Sequence, residues 1–268
     1  MLRFIRQIVS GLIVLTLLGG GVAAGEDFRV DTEIFRGEAK GPEAETLTLF
    51  ANGMVYDFML NAPEEIAIFD AGRGQFTLLD VERKVQTSIR TQDLMDYVFE
   101  LSAEAVKSKD AVFSFAAEPK WEPQFEEFQE NAQTFTRVTL AGGPFEYQAV
   151  GKRPPDGNTA RAYHYFADWY ARLNVTRAGL PPQARLDLNK ALGDKELMPT
   201  EIVRTITTGG RFSEPVVARS RHLTNWALSG TDRERIAKAG DYRATFKTVG
   251  FNEYRTQAAA ATNKQAKR

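Results

Sequence analysis

The sequence lacks cysteine altogether and has only two histidines in 268 residues. The absence of cysteine excludes disulfide bonds, thiolate metal sites and a cysteine nucleophile. With only His164 and His222, a multi-histidine zinc site is excluded, and little histidine-based catalysis is expected. The formal net charge of −1 argues against nucleic-acid binding. Walker, GxGxxG, GxSxG, HExxH and EF-hand patterns are absent too, so the sequence predicts no cofactor and no metal.

The start of the chain has the pattern of an export signal. Arg3 and Arg6 precede an apolar run over residues 8–18, and small residues follow at 22–25. The run is shorter than the roughly 20 residues of a membrane-spanning helix. We therefore expect residues 1–24 to be a secretory signal peptide, and the mature protein to be periplasmic or secreted without a membrane span.

Residues 45–89 predict a series of short antiparallel strands. Runs rich in β-branched and aromatic residues alternate with turn signals such as Asn52-Gly53 and the segment 71–74. Such spacing is typical of consecutive hairpins. Further strands are predicted at 28–35, within 124–150, and as a hairpin from 201–208 and 215–221.

Amphipathic helices are predicted between and after these strands. Apolar residues recur at helical spacing from residue 91 to about 107, in the aromatic segment 160–173 and over 183–192. A short helix over 233–239 follows Ser229, a capping residue. The segment 111–115 fits either a helix or a strand. The sequence thus predicts an α+β fold, in which helices cover a curved, half-barrel-like antiparallel sheet.

The chain is long enough for one sizeable domain, and its 43% hydrophobic and 26% charged residues are typical of globular proteins. We expect a single domain over residues 25–256, with a possible internal boundary near 151–158, where prolines and glycine cluster. Residues 257–268 are polar and alanine-rich, and we expect a flexible tail there.

One face of the predicted sheet is continuously apolar and must be covered, because an exposed patch of that size would drive association. If the cover leaves a cavity, the face would bind an apolar ligand; if it does not, the same residues form a packed core. The candidate ligand-binding residues are Tyr56, Phe58, Ile66, Ile68, Phe76, Leu78 and, on the aromatic helix, Trp169.

Three aspartates could suggest carboxylate chemistry. Asp70 and Asp80 each end a strand, where an aspartate usually accepts hydrogen bonds within the following turn. Asp57 alternates with Tyr56 and Phe58, and we expect it to face solvent. No catalytic residue is therefore assigned, and a hydrolase that uses these carboxylates is only a minor alternative. Arg219 and Arg221 share a strand face beside His222, and we expect a solvated face there in preference to an anion site.

The segment EIAIFDAGRGQFTLLDVERKVQTSI, residues 65–89, resembles the periplasmic lipoprotein carriers with a Lol-type half-barrel. In that family, too, one strand ends at an aspartate, and the next ends in an apolar-Leu-Asp sequence before a basic turn. The resemblance covers residues 28–102. It implies a half-barrel whose cavity holds acyl chains; we assign no counterpart to the C-terminal half.

Two functions fit these observations. The first is an exported, non-enzymatic protein that binds a lipid or a lipoprotein acyl chain in a half-barrel cavity. The second is a structural or interaction module of the cell envelope with a filled core, which binds a protein partner. A cavity within the fold would favour the first, and an exposed docking surface would favour the second.

Overall fold

The computed structural model describes residues 27–61, 63–208 and 214–256. The predicted signal peptide and the predicted polar tail lie outside these ranges. The strands are β1 (Phe28–Arg36), β2 (Ala44–Ala51), β3 (Met54–Met59), β4 (Glu65–Asp70), β5 (Gln75–Asp80), β6 (Val85–Arg90), β7 (Gln124–Glu130), β8 (Gln133–Gly142), β9 (Phe145–Lys152), β10 (Met198–Ile206), β11 (Val216–Asn225) and β12 (Lys247–Thr248). The helices are α1 (Thr91–Val106), α2 (Ala111–Ala117), α3 (Gly157–Ala178), α4 (Gln183–Gly193) and α5 (Gly230–Thr245). Residues 251–256 are also helical.

All twelve strands form one sheet, in the order β12-β6-β5-β4-β3-β2-β1-β11-β10-β9-β8-β7. Every neighbouring pair is antiparallel except β12 and β6, which are parallel. The pairing of β1 with β11 joins the strands from the two halves of the chain. The sheet curls without closing, and helices cover it, so the predicted α+β fold with a curved antiparallel sheet is confirmed. The segment 151–158 lies within this arrangement, since β9 before it and β10 after it are neighbours.

The tight turns of the sheet follow from local sequence. Asn52 and Gly53, between β2 and β3, both have positive φ, as a two-residue hairpin turn requires. Asp70 accepts a hydrogen bond from the Arg73 amide at 3.0 Å, and Asp80 accepts one from the Arg83 amide at 2.7 Å. The two aspartates therefore stabilise turns, as the sequence predicts.

Strands β2 to β5 are buried on both faces. Strand pairing places Leu49, Tyr56 and Ile68 together on the outer face, where residues of α5 such as Ala239 pack against this cluster. The alternate residues, such as Phe69, lie on the inner face beneath α1 and α3. Burial of both faces explains why EIAIFD and QFTLLD are nearly continuous apolar runs, as in other sheets with two covered faces. Each fully buried Leu or Phe side chain contributes about 1.5–3 kcal/mol to such a core.

Strands β8 to β10 are buried mainly on the inner face. Val138, Tyr147 and Ile202 pack there with Leu188 and other residues of α4. The intervening residues of β8 and β9 are mostly half-buried or exposed, which gives the alternation of a sheet with one wet face.

The helices begin and end at recognisable signals. The ambiguous segment 111–115 is helical, since Asp110 accepts hydrogen bonds from the amides of Val112 and Phe113 at the start of α2. The aromatic helix α3 is longer than predicted and ends at Gly179, whose φ of 75° suits a left-handed helix terminus.

The two edges of the sheet differ. At one edge, the two-residue strand β12 pairs with Val85 and Gln86 of β6. At the other edge, β7 is mostly exposed and carries Glu126, Glu127 and Glu130.

Candidate ligand-binding cavity

A cavity of about 680 Å³ lies between the inner face of the sheet and the helices α2, α3 and α4. Strands from both halves of the chain form its floor, because β1 to β3 continue through β11 and β10 to β9. Its volume falls within the roughly 300–1,000 Å³ of small-molecule sites. The cavity thus lies at the centre of the fold.

Most of the cavity wall is apolar or aromatic. The helices contribute these residues on one side and the sheet contributes them on the other. They are Ala116, Tyr163, Phe166, Ala167, Ala171, Val175, Leu180, Pro181, Pro182 and Ala184 from the helices and their loops, and Val30, Ile34, Met59, Phe145 and Tyr147 from the strands. Such a lining favours an apolar ligand.

A hydrogen-bonded network around Asp57 forms one polar part of the wall. Thr48 donates to Asp57 Oδ1 at 2.7 Å, and Tyr170 of α3 donates to Asp57 Oδ2 at 2.6 Å. Arg177 donates to the Tyr170 hydroxyl at 3.4 Å and forms an ion pair with Glu65. These bonds connect α3 to the sheet at the side of the cavity.

The expectation that Asp57 faces solvent is wrong. Asp57 lies on the inner face and is only 5% exposed, because Phe58 and Tyr56 occupy the outer face. Burial raises the pKa of Asp57, although the hydrogen bonds from Thr48 and Tyr170 oppose the shift. Burial also raises the pKa of Tyr170, with the nearby Asp57 acting in the same direction. Both groups therefore resist ionisation.

His222 forms a second polar part of the wall, from β11. Its Nδ1 lies 3.1 Å from the Thr32 hydroxyl, and its Nε2 lies 3.0 Å from the Ser220 hydroxyl. Burial lowers the pKa of His222 to about 3, and the positive charge of Arg185 acts in the same direction. The imidazole is therefore neutral at physiological pH and exchanges hydrogen bonds with two hydroxyl groups.

Four arginines line the cavity, and they differ in how they are paired. Arg36 pairs with Glu43 at 3.1 Å, and Arg177 pairs with Glu65. Arg185 donates to the neutral Asn189 side chain at 2.9 Å. The Nε of Arg204 is buried and has no hydrogen-bond acceptor within the described part of the chain.

The structure places the seven candidate residues away from this cavity. Tyr56, Phe58, Ile66 and Ile68 lie on the outer face and pack in the cluster beneath α5. Phe76 and Leu78 lie on the inner face, within the apolar cluster that β4, β5 and β6 form with α1 and α3. Trp169 packs against that cluster too, with the Arg172 guanidinium 4.9 Å from its ring centre. Of these seven, none lies among the described residues that line the cavity.

The sequence predicts one continuous apolar face of the sheet, whereas in the structure both faces of β2 to β5 are apolar. Phe58 pairs with Ile66, but Ile66 pairs with Leu79 and not with Leu78, so the strand β5 residues belong to the opposite face. In a strand that is buried on both faces, polar and apolar residues do not alternate. The sequence therefore does not show which residues lie on the inner face and which on the outer face.

The sequence contained a partial signal for the residues that do line the cavity. The alternation of Val30, Thr32 and Ile34 identified the correct face of β1. On β11, Arg219 and Arg221 lie over the Phe35 ring, and His222 faces the other way into the cavity. The contributions of Arg185 and Arg204 depend on long-range pairing, which their local sequence does not reveal.

Two other hollows are about as open to solvent as the central cavity. One of about 540 Å³ lies between the outer face and α5, and its lining includes Phe58 and Ile66. Another of about 670 Å³ lies near Lys152 and Arg153 at one end of the sheet. Across the described ranges, no group of three His, Asp or Glu residues could hold a metal ion. No helix within those ranges is both long enough and apolar enough to cross a membrane.

No protein-family model matches the sequence, and no curated protein matches it. Among solved structures, PNGF-II in two crystal forms overlaps with TM-scores of 0.36 and 0.37, at 8% and 10% identity. These overlaps cover 84% and 86% of this chain, which spans only 31% and 32% of the PNGF-II chains. A LolA superfamily protein from Nitrosomonas europaea overlaps with a TM-score of 0.25, at 4% identity, over 78% of this chain and 89% of that one. The chain therefore has a weak likeness to a LolA superfamily protein, which is too loose to carry an argument about its function.

Proposed function

We propose that this chain is an exported, non-enzymatic protein that binds an apolar ligand, either a lipid or the acyl chain of a lipoprotein, in the central cavity. The observation that carries the proposal is the 680 Å³ cavity with its largely apolar wall. A cavity of this kind gains free energy when an apolar ligand enters it, because apolar surface is removed from water.

Export is part of the proposal because of the sequence of residues 1–24, which has the layout of a signal peptide. A protein outside the cytoplasm that carries a lipid needs a site shielded from water. The cover of α3 and α4 over the sheet supports that role.

The absence of an enzymatic role is also a proposal, supported by the positions of the three aspartates. Asp70 and Asp80 stabilise turns through hydrogen bonds to backbone amides. Asp57 accepts hydrogen bonds at both carboxylate oxygens, and burial keeps its pKa raised. The three carboxylates thus have separate structural roles.

The test fills the cavity with a larger side chain. Ala171 lies on the cavity wall, and Ala171→Trp would occupy part of the volume that a ligand needs. We expect native mass spectrometry to detect hexadecan-1-ol bound to the exported protein, and Ala171→Trp to reduce that binding at least tenfold. The intact mass also shows whether residues 1–24 have been removed.

Ala103→Trp is the matched control, because Ala103 is an exposed residue of α1. This variant should bind hexadecan-1-ol as the unchanged protein does. Equal binding by both tryptophan variants would place the ligand elsewhere and refute the cavity proposal. Thermal unfolding of each variant checks that the fold is retained.

The second candidate function, an envelope module that binds a protein partner, is favoured by one surface. Met95, Phe99 and Val106 of α1 are 39%, 74% and 50% exposed, and their spacing places them along one side of the helix. Exposed apolar residues in such a stripe are typical of docking surfaces. Phe99→Glu distinguishes the two functions, because it should leave hexadecan-1-ol binding unchanged and weaken only the binding of a partner.

A further inference from the structure

Arg204 is the least compensated charge of the cavity wall. It lies on β10, directly opposite Tyr147 of β9 and Ala218 of β11. None of the ion pairs among the described residues includes Arg204, and its buried Nε has no acceptor among them. A buried donor of a charged group that lacks an acceptor destabilises the fold. Such a group favours an acceptor that enters the cavity.

Arg185 brings a second positive charge to the same wall from α4. Its Nε donates a hydrogen bond to the neutral Asn189 side chain, which in turn donates to Asp168 at 3.0 Å. The first turn of α4 contains no acidic residue, and the helix has no side-chain cap at its start. The positive end of the helix dipole therefore adds to the Arg185 charge.

The strand register brings these groups towards one part of the cavity. Arg204 is opposite Ala218, and Ser220 is the next residue of β11 on the same face. Ser220 contacts His222, and Arg185 is near enough to His222 to lower its pKa, in addition to the effect of burial. Arg204, Ser220, His222 and Arg185 thus line one cavity whose wall is otherwise largely apolar.

The acids near the cavity leave this charge uncompensated. Glu43 and Glu65 are engaged by Arg36 and Arg177. Asp57 is held by Thr48 and Tyr170, and burial raises its pKa, so it resists carrying a negative charge. The cavity therefore combines an apolar wall with two guanidinium groups that are free to bind an anion.

We propose that the cavity ligand is an amphiphile with one anionic head group, a carboxylate or a phosphate, and that Arg204 and Arg185 bind this head while the apolar wall holds the chain. Guanidinium groups bind both anions through paired hydrogen bonds. This inference rests on the proposed function and names the ligand class.

The experiment compares two probes with the same chain and different heads. The full-length exported protein is titrated with hexadecanoate and with hexadecan-1-ol, and dissociation constants are measured by calorimetry. We expect hexadecanoate to bind at least tenfold more tightly, because its carboxylate accepts charge-assisted hydrogen bonds from the two arginines and the alcohol has no charge. Hexadecyl phosphate should show the same preference, whereas inorganic phosphate and acetate should bind far more weakly than either amphiphile.

Arg204→Gln and Arg185→Gln test the assignment of the head site. Each should weaken hexadecanoate at least fivefold and leave hexadecan-1-ol within about twofold, as loss of a charge contact alone predicts. Arg204→Lys retains the charge and should bind hexadecanoate with intermediate affinity. Arg73→Gln is the control, since Arg73 is exposed in the turn after β4 and does not line the cavity, and it should change neither probe.

The outcomes separate the two proposals. Equal affinity of the unchanged protein for hexadecanoate and hexadecan-1-ol would overturn the anionic head and leave apolar binding intact. Failure to bind any of the three amphiphiles would overturn the proposed function itself. If inorganic phosphate binds as tightly as the amphiphiles, the proposal that the ligand is an amphiphile is also overturned. If Arg204→Gln weakens hexadecanoate and hexadecan-1-ol equally, Arg204 supports the cavity without selecting the head group, and its assignment to the head site is overturned.

Discussion

Burial disfavours the charged forms of two groups that face the cavity from the sheet, Asp57 and His222. For Asp57, burial raises the pKa, and for His222, burial lowers the pKa to about 3. The shifts have opposite signs because the charged form is the deprotonated acid in one case and the protonated base in the other. Asp57 and His222 therefore contribute hydrogen bonds to the wall, and its positive charge comes from the arginines.

His222 should make the stability of the fold depend on pH. Between pH 6.5 and about 3, the unfolded chain binds a proton at His222 and the folded chain does not. Stability is therefore full above pH 6.5 and decreases as the pH falls, by about 1.4 kcal/mol per pH unit for one proton. Urea denaturation at several pH values should show a shallower dependence in His222→Gln than in the unchanged protein.

His164→Gln is the comparison for this prediction. Burial also lowers the pKa of His164, whose Nε2 contacts the Leu197 carbonyl oxygen at 2.7 Å. This variant leaves His222 in place, so its free energy of unfolding should still decrease with falling pH through the His222 contribution. Parallel pH curves for His222→Gln and the unchanged protein would contradict the assignment.

For single residues, the sequence predicts roles within a turn well, but it predicts poorly which face of the sheet a side chain lies on. Asp70 and Asp80 were correctly interpreted as turn residues, because an aspartate and the amides that it contacts are three residues apart. Asp57 was misplaced because its surroundings come from α3, more than a hundred residues away. A contact of that range leaves no trace in the residues beside Asp57.

At the scale of elements, α5 shows how strongly a helix start can be specified. Ser229 Oγ accepts a hydrogen bond from the Asp232 amide at 3.1 Å, and Asp232 Oδ2 accepts one from the Ser229 amide at 2.8 Å. Arg29 of β1 also donates to Asp232 at 3.0 Å. This capping box fixes the helix that covers the outer face, and it connects that helix to the first strand.

We expect Ser229→Ala to lower the free energy of unfolding by about 1 kcal/mol, since one amide of the helix start loses its acceptor. Ser229→Gly should lower the free energy of unfolding by only about a few tenths of a kcal/mol. Chemical denaturation measures both. The control is Asp93→Asn in the first turn of α1, where the ion pair with Arg90 is exposed and should contribute little. An unchanged free energy of unfolding in Ser229→Ala would show that the capping box does not limit the stability of α5.

Element types and approximate bounds were largely predictable, because they depend on local periodicity and turn residues. The helix predicted at 233–239 begins where Ser229 indicates, but it continues to Thr245 as part of α5. Its cover of the outer face was not predictable, because α5 has a polar composition and buries little beyond Ala239 and Asp232. The helix that determines which strand face is outer is thus among the least apolar.

At the scale of the whole molecule, the single sheet predicts cooperative unfolding. Leu79 of β5 and Leu140 of β8 are both fully buried and lie in different apolar clusters of one hydrogen-bonded sheet. Leu79→Ala and Leu140→Ala should each cost about 2–5 kcal/mol. Because β1 and β11 join the two halves, each variant should lower one common transition midpoint, measured by far-ultraviolet and near-ultraviolet circular dichroism.

Two separate transitions, each lowered by only one of the variants, would instead indicate an internal boundary near 151–158. The matched control is Thr139→Ala, which removes a side chain from the outer face of β8 and should leave the midpoint nearly unchanged.

The unequal edges of the sheet affect how copies of the chain meet in solution. An open sheet can extend by pairing its edge strands with those of another molecule. At the β6 edge, the chain supplies the short strand β12 itself, which already occupies Val85 and Gln86 at the start of β6. At the β7 edge, two copies that approach each other bring Glu126, Glu127 and Glu130 of both chains together, and like charges repel. The fold can thus remain an open sheet, with room for a cavity, without becoming a template for its own polymerisation.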